Sequence, residues 1–376
     1  MKYSKIDLPY RMKTETLALG AQSKSAFCFT RGNTAYLSDP QGDLSDLRNF
    51  EIFERQIKDL QRKLKIKPHI VACDLHPEYI STKYALQMNS DKIRIRQIQH
   101  HQAHVASCIA DNQIKGRVIG AAFDGAGYGL DGNIWGGEFF IGDIKGLRRI
   151  AYLRYISMPG GESAIKEQWR MSLSYLYSVY GNNFRKLDID FISKLDKEKT
   201  KLLIQIMNKK INSPLTSSIG RLFDAVSSLI GISSFAAYEG EAAIKLEKMI
   251  GYQTSGINYQ DRYRFRYEDK KGIIIIDWKP LIQGIVKDLR QGLSGSAISL
   301  AFHSAICRMI EEICILLRRK YKISKICLSG GVFQNRYLNA NIKTMLKLKG
   351  FEAYLHNNIP ANDGGIPVGQ AVLAGV

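Results

Sequence analysis

Two segments far apart in the chain open in the same way, and that repetition limits the fold more than any other feature. Thr16-Leu-Ala-Leu-Gly-Ala-Gln-Ser-Lys-Ser-Ala-Phe-Cys-Phe-Thr30 reads as strand, turn, strand, and Arg31-Gly-Asn33 turns into another strand, Thr34-Ala-Tyr-Leu-Ser38. Apolar spacing predicts an amphipathic helix over Phe50–Leu64, then a buried strand, Pro68-His-Ile-Val-Ala-Cys73. The order begins again with the strand Val118-Ile-Gly-Ala-Ala-Phe123, a glycine turn over Asp124–Gly129 and a returning strand, Ile134-Trp-Gly-Gly-Glu-Phe-Phe-Ile141. A hairpin unit used twice predicts an α/β protein of two related lobes with a cleft between them. The expected lobes are residues 1–115 and 116–376. Helical patterns over Trp169–Tyr180, Asp196–Asn208, Ser218–Leu229 and Tyr238–Met249 read as an insertion in the second lobe, at about 159–255. A strand at Gly272–Asp277, a helix from Gly295 to Lys320, a strand at Lys325–Ser329 and a last helix at Gly365–Leu373 complete the pattern.

The chemistry centres on Gln99-His-His-Gln-Ala-His-Val-Ala106. Helical spacing puts His100 and His104 on one face, where two imidazoles can grip one divalent metal and carboxylates can complete the shell. Alone, the pair is as readily two surface histidines. Cys108, one turn further on, is either another ligand or a packing residue.

Four other segments join it. Phe123-Asp-Gly-Ala-Gly-Tyr-Gly129 ends an apolar strand, where glycine N–H groups can approach a phosphate and Asp124 can bind metal or cap the turn. Leu328-Ser-Gly-Gly-Val-Phe-Gln-Asn335 is a strand-to-helix junction suited to phosphate, or a close packing turn. In Thr216-Ser-Ser-Ile-Gly-Arg-Leu-Phe-Asp-Ala-Val226, Arg221 and Asp224 share a helix face as an ordinary ion pair would. In Pro360-Ala-Asn-Asp-Gly-Gly365, Asp363 is either a helix cap or the carboxylate that joins the histidines. His76, in Asp74-Leu-His-Pro77 after a buried strand, is a further contact candidate.

With 376 residues, 45% hydrophobic and 24% charged, the chain can bury two ordinary cores. No apolar run approaches the roughly 20 residues of a membrane span, and no signal peptide is seen, so a cytoplasmic protein without membrane contact is expected. The six cysteines form no Cys-x-x-Cys pair and read as reduced, buried residues. The net charge of +19 invites a nucleic-acid partner. Its spread over Lys58–Lys67, Lys194–Lys210, Arg318–Lys325 and Lys343–Lys349 favours a solvated basic surface instead. Arg262-Tyr-Arg-Phe-Arg-Tyr267 fits a strand with a basic, solvated face.

Taken in order, Leu17-Ala-Leu-Gly-Ala21, Asp74-Leu-His-Pro77, Ser81-Thr-Lys-Tyr-Ala85, His100-His-Gln-Ala-His-Val-Ala-Ser107, Trp135-Gly-Gly-Glu-Phe139, Pro159-Gly-Gly161, Trp169-Arg-Met171, Tyr238-Glu-Gly-Glu-Ala-Ala243 and Asn362-Asp-Gly-Gly365, together with the Asp124, Gly220 and Gly330 segments, give the chain a resemblance. It resembles the Kae-type carbamoyltransferase module of the HypF family almost end to end. The resemblance implies an α/β fold of two RNase-H-like lobes, of the actin/hexokinase/Hsp70 (ASKHA) superfamily. It implies a divalent metal, iron first with zinc or magnesium as alternatives, and an adenine nucleotide as carbamoyl-adenylate, AMP or ATP. His100, His104 and Asp363 would hold the metal with Asp124 beside it. Gly125, Gly127, Gly330 and Gly331 would line the phosphate, and Gly220, Asp224, Glu241 and Asn335 would face the ribose and base.

The implied reaction is carbamoyl transfer to the C-terminal cysteine of a HypE-type protein. The alternatives are threonylcarbamoyl transfer to tRNA, O-carbamoylation of a small-molecule hydroxyl, and a catalytically silent nucleotide-binding subunit. The acylphosphatase, zinc-finger and YrdC-like domains of full-length relatives do not fit within this chain, so a separate YrdC-like protein would supply carbamoyl-adenylate. Ala126 and Ile219 stand where the family usually has Thr and Ala.

Overall fold

The first hairpin forms where the alternation puts it, and the sheet around it has a defined order. The computed structural model describes residues 2–250 and 261–376. Strands β1 (Tyr3–Asp7), β2 (Thr16–Ala18), β3 (Cys28–Arg31), β4 (Thr34–Ser38), β5 (Ile70–Asp74) and β6 (Arg94–Ile98) lie in the order β1-β4-β3-β2-β5-β6. The β2-β3-β4 meander is antiparallel, and β5 and β6 join β2 in parallel. Helices α1 (Leu47–Leu64) and α2 (Ile80–Gln87) connect them. Asp46 caps α1, which buries Phe53, Ile57 and Leu60 at helical spacing.

After helix α3 (His100–Asp111) the same order repeats. Strands β7 (Val118–Tyr128), β8 (Ile134–Asp143) and β9 (Gly146–Leu153) form an antiparallel meander. Two-residue strands β10 (Ile156–Ser157) and β11 (Leu215–Thr216) extend from it, and β12 (Arg266–Lys270) and β13 (Ile273–Asp277) add to its outer edge. Strands β14 (Lys325–Ser329) and β15 (Glu352–Tyr354) then join β7 in parallel. Each sheet therefore contains a meander whose first strand carries two parallel strands on its other side, the RNase-H-like order. The two-lobe α/β class expected from the repeated hairpin is the fold observed.

Helices α4 (Ser163–Lys166), α5 (Trp169–Tyr180), α6 (Asp190–Ser193), α7 (Lys197–Asn208), α8 (Ile219–Leu229) and α9 (Glu241–Lys248) make up the helical stretch of the second lobe. Residues 251–255 of the expected insertion lie outside the described residues. Helices α10 (Lys279–Arg290), α11 (Gly295–Tyr321), α12 (Arg336–Leu348) and α13 (Ile366–Gly375) follow. No helix among the described residues is long and apolar enough to cross a membrane.

The lobes exchange their last helices. Helix α3 packs on β7, β8 and β14, while α13 packs on β2, β3 and β5. The two helices also press on each other so closely that a Cβ on Gly369 would lie 1.8 Å from the Ala103 carbonyl oxygen. One apolar cluster, including Ala18, Ala72, Val105, Ile109, Val118, Phe140 and Val368, therefore draws on both sheets.

Two sequence expectations change. Asp124–Gly129 is not a free glycine turn: β7 runs on to Tyr128, its register with β8 shifting between Phe123 and Gly127. That bulge re-aims Asp124. The Arg262–Tyr267 stretch does alternate, with Tyr263 and Phe265 buried. Its arginines are exposed as expected, but two of the three are paired, Arg262 with Asp288 and Arg266 with Asp277, and the strand starts only at Arg266.

Candidate metal centre

Helix α3 starts two residues after β6 ends, and Gln99 caps it by accepting the Gln102 N–H. The first turn is thereby aimed into the cleft, with His100 and His104 on one face and both fully enclosed. His100 Nδ1 lies 2.8 Å from Asp74 Oδ2 at the end of β5. With Nδ1 donating to that carboxylate, Nε2 is the nitrogen presented to the cleft. His100 Nε2 is 3.3 Å from Asp124 Oδ2 and 3.7 Å from Asp363 Oδ1. His104 Nε2 is 3.5 and 3.6 Å from the same two oxygens.

The sequence left Asp363 two roles, and the local geometry separates them. Asn362 Oδ1 accepts the Gly364 N–H at 3.0 Å, so Asn362 caps the turn before α13 and Asp363 faces the histidines. Asp124 is divided between two tasks: Oδ1 accepts the Gly331 N–H at 3.2 Å and Oδ2 faces the imidazoles.

These residues fit a divalent cation. One ligand atom from each of His100, His104, Asp124 and Asp363 falls within a 4.8 Å cluster. Ligands about 2.1 Å from a tetrahedral metal stand about 3.4 Å apart, close to the N···O separations of 3.3–3.7 Å. His104 Nε2, although buried, has no hydrogen-bond partner among the described residues. Burial opposes a charge on His100, but Asp74, Asp124 and Asp363 outweigh it and hold the pKa well above the usual imidazole value. For His104, burial likewise opposes, and the nearby Asp124 and Asp363 carboxylates raise it. Burial works against ionised Asp124 too, yet the two histidines keep its carboxyl well below the usual range. The two carboxylates thus favour positive charge at the point where the imidazoles converge.

His101 does not join this group. Burial and the neighbouring His100 push its pKa well down, and its Nδ1 lies 3.2 Å from Gln99 Nε2. Gly127 lies over both rings: a Cβ there would be 2.5 Å from His101 Cε1 and 2.7 Å from His100 Cδ2. Cys108 is also absent from the cluster; its thiol faces the Tyr354 carbonyl. His76 stacks on Tyr79 with ring centroids 4.2 Å apart.

The proposed phosphate and nucleoside residues divide into those near the cluster and those occupied elsewhere. Gly330 has φ of +102°, and a Cβ on it would meet the Phe123 carbonyl oxygen at 2.2 Å, so only glycine lets β14 end against β7. Its N–H donates to Ala361, and that of Gly331 to Asp124. Ser218 caps α8 and donates to the Asp124 carbonyl at 2.7 Å. Gly220 then packs on Gly125, where a Cβ would stand 2.9 Å from the Gly125 Cα.

One turn on, Arg221 and Asp224 are not an ordinary surface pair. They are 2.9 Å apart and both buried, and Arg221 Nε and Nη1 have no hydrogen-bond partner among the described residues. Burial pushes Asp224 up to about 6 although Arg221 pulls it down. Glu241 accepts the Ala237 N–H at 2.6 Å and pairs with Lys245 at 2.7 Å, closing the first turn of α9. Asn335 caps α12 through Leu338 N–H at 2.9 Å and lies 3.0 Å from His303 Nε2.

Two carboxylates escaped the sequence reading. Asp74 ends a buried strand, where α/β folds place ligand loops, but its neighbour His76 drew the attention. Glu239, two residues before Glu241, is the glutamate beside Gly125. Asp74→Asn is expected to lower metal affinity about 10–100-fold, the usual scale for a partner behind a metal-bound histidine. Metal titration against a chromogenic chelator reads this, and unchanged affinity would remove Asp74 from the site.

Comparison with known proteins places the chain in a family. Residues 11–111 match the HypF Kae1-like domain, and residues 120–370 match the carbamoyltransferase Kae1-like domain, second subdomain. Carbamoyltransferase HypF of Synechocystis sp. is 33% identical, over 97% of this chain and 48% of its own length. A carbamoyltransferase HypF homolog of Cupriavidus necator is 28% identical, over 95% of this chain and 91% of its own. The crystal structure of full-length HypF in the phosphate- and nucleotide-bound form superposes with a TM-score of 0.91 at 36% identity, covering 98% of this chain and 47% of that one. The chain thus spans about half the length of full HypF relatives. It belongs to the HypF carbamoyltransferase family and consists almost entirely of that family's Kae1-like domain.

Proposed function

We propose that this chain transfers a carbamoyl group from carbamoyl-adenylate to the C-terminal cysteine of a HypE-type protein. The observation that carries the reading is the convergence of His100, His104, Asp124 and Asp363 on one point of the cleft in a HypF-family chain. A divalent metal held there would supply Lewis acidity toward phosphate oxygens. Two imidazoles and two carboxylates suit iron or zinc better than magnesium, which prefers an all-oxygen shell. The chain's own residues pre-set the site: Asp74 orients His100, and the Gly331 N–H orients Asp124. Arg221 brings its guanidinium beside Gly125 in the same bulge, a cation suited to an anionic phosphate. That nucleotide-bound HypF shares the fold supports adenylate as the donor.

The acceptor must bring its own nucleophile. All six cysteines of the chain are buried. Burial pushes the thiols of Cys28, Cys73 and Cys307 up to about 12, so they are not thiolates near neutral pH. A YrdC-like domain or protein would make the donor. The chain is to be given carbamoyl-adenylate with a HypE-type protein and with tRNA, followed by mass spectrometry. Carbamoyl mass on the terminal cysteine supports the reading; mass on neither acceptor sinks it. The net charge of +19 favours tRNA as the second reading, and modification of tRNA would select it.

Metal loading should depend on pH with a definite sign. Protons compete for His100 and His104, whose pKa values are raised in the metal-free protein. Loading is therefore expected to weaken as pH falls, starting above the ordinary histidine range, with protons released on uptake. Calorimetry in buffers of different ionisation enthalpy reads the proton count; uptake independent of pH from 5 to 8 would contradict it.

A further inference from the structure

The loop between β2 and β3 holds Lys24 in an unusual way. Lys24 has φ of +49°, a left-handed conformation unfavourable for a residue with a side chain. Lys65, Gln113, Lys210 and Lys322 share that conformation, but each follows the end of a helix; Lys271 turns a hairpin, and Asn212 is an asparagine, which tolerates it. Lys24 closes no such element. Its loop is fixed from both ends instead. Gln370 accepts the Gly20 N–H at 2.8 Å, and the Ser25 N–H donates to the Gly42 carbonyl at 2.9 Å.

The fixed loop aims the lysine across the cleft. Lys24 Nζ lies 3.0 Å from Glu239 Oε2 on the other lobe. Partial burial opposes its charge, but Glu239 and, more weakly, Asp363 and Asp124 of the metal cluster outweigh that. The other oxygen of Glu239 flanks Gly125: a Cβ there would stand 3.6 Å from Glu239 Oε1 and 3.5 Å from Arg221 Nη2. One carboxylate thus lies near two cations, beside the glycine bulge and within the field of the metal ligands. Both partners of the ion pair are about half exposed, at 43% and 53%, and such a solvated pair holds only weakly. A phosphate of higher charge can displace it.

We propose that Lys24 binds the phosphoryl group of the nucleotide donor from the first lobe, and that Glu239 occupies its ammonium until that ligand arrives. The inference rests on the nucleotide reading above. The rival is a plain ion pair that only ties the lobes together, in which case either partner's loss acts alike and without regard to phosphate.

AMP and adenosine, titrated calorimetrically into the protein as purified, separate the two. Lys24→Gln is expected to weaken AMP about tenfold and leave adenosine unchanged. Glu239→Gln is expected to leave AMP binding intact or tighten it by up to about threefold, since a competitor is removed. Equal losses in both variants, or losses shared by AMP and adenosine, overturn the role of Lys24. If the unaltered chain binds neither compound, the nucleotide reading itself fails.

Discussion

His104→Ala is expected to lower metal affinity by more than about 100-fold and to reduce carbamoyl transfer to the level of the metal-stripped protein. The first bound follows from scale: partners behind a metal-bound histidine are worth about 10–100-fold, and a direct ligand is worth more. His104 contributes the Nε2 that lies 3.5 and 3.6 Å from the two carboxylates and has no protein hydrogen bond to lose. Truncation also opens a void in a helix turn packed on both sheets, at about 2–5 kcal/mol by the measure of other large-to-small core changes. His104→Gln keeps most of the volume but not the imidazole, so it separates loss of ligand from loss of packing. Elemental analysis of folded protein reads the metal. Full occupancy in the His100→Ala/His104→Ala double variant would refute the assignment.

The second large effect concerns stability and lies behind the site. Glu138 is wholly enclosed and accepts from Ser217 Oγ, from the N–H groups of Gly136 and Gly137, and from Arg149 Nε at 2.5 Å. Arg149 is itself held between rings, its guanidinium carbon 3.8 Å from the Trp135 centroid and 3.9 Å from that of Tyr152. Replacing the pair with apolar groups would cost little, but removing Glu138 leaves buried Arg149 with only the more exposed Asp131, 3.5 Å away, as a counter-charge. Glu138→Ala is therefore expected to destabilise the fold by about 3–5 kcal/mol. The loss extends to the metal centre, because Ser217 adjoins Ser218, which caps α8 and holds the Asp124 carbonyl. Denaturant unfolding measures it, and a change within about 1 kcal/mol would mean that water or another anion replaces the carboxylate.

The architecture was legible in the sequence because hairpins and amphipathic helices are local patterns. The β4 strand, helix α5 and strand β14 fall where alternation and helical spacing put them. Helix α12 was foreseen as the helix after Gly331 but not in its extent, and α10 was missed, since their mixed charged sequences carry a weaker signal. The reach of β7 through Asp124–Tyr128 was also hidden: glycines signal a turn locally, and only pairing with β8 draws them into the sheet. His100 and His104 were visible through their spacing. Their partners Asp74 and Asp363 come from strand and loop ends at sequence distances that no local pattern encodes. For the same reason Glu239 was passed over for Glu241, two residues away, although only the fold decides which carboxylate faces Gly125.

Anomalous diffraction at the metal edge, from crystals grown with iron or zinc, tests the central claim most directly. One peak is expected in the cleft, about 2.0–2.2 Å from His100 Nε2, His104 Nε2 and oxygens of Asp124 and Asp363. A metal-saturated protein whose only peak lies away from those four atoms would contradict it.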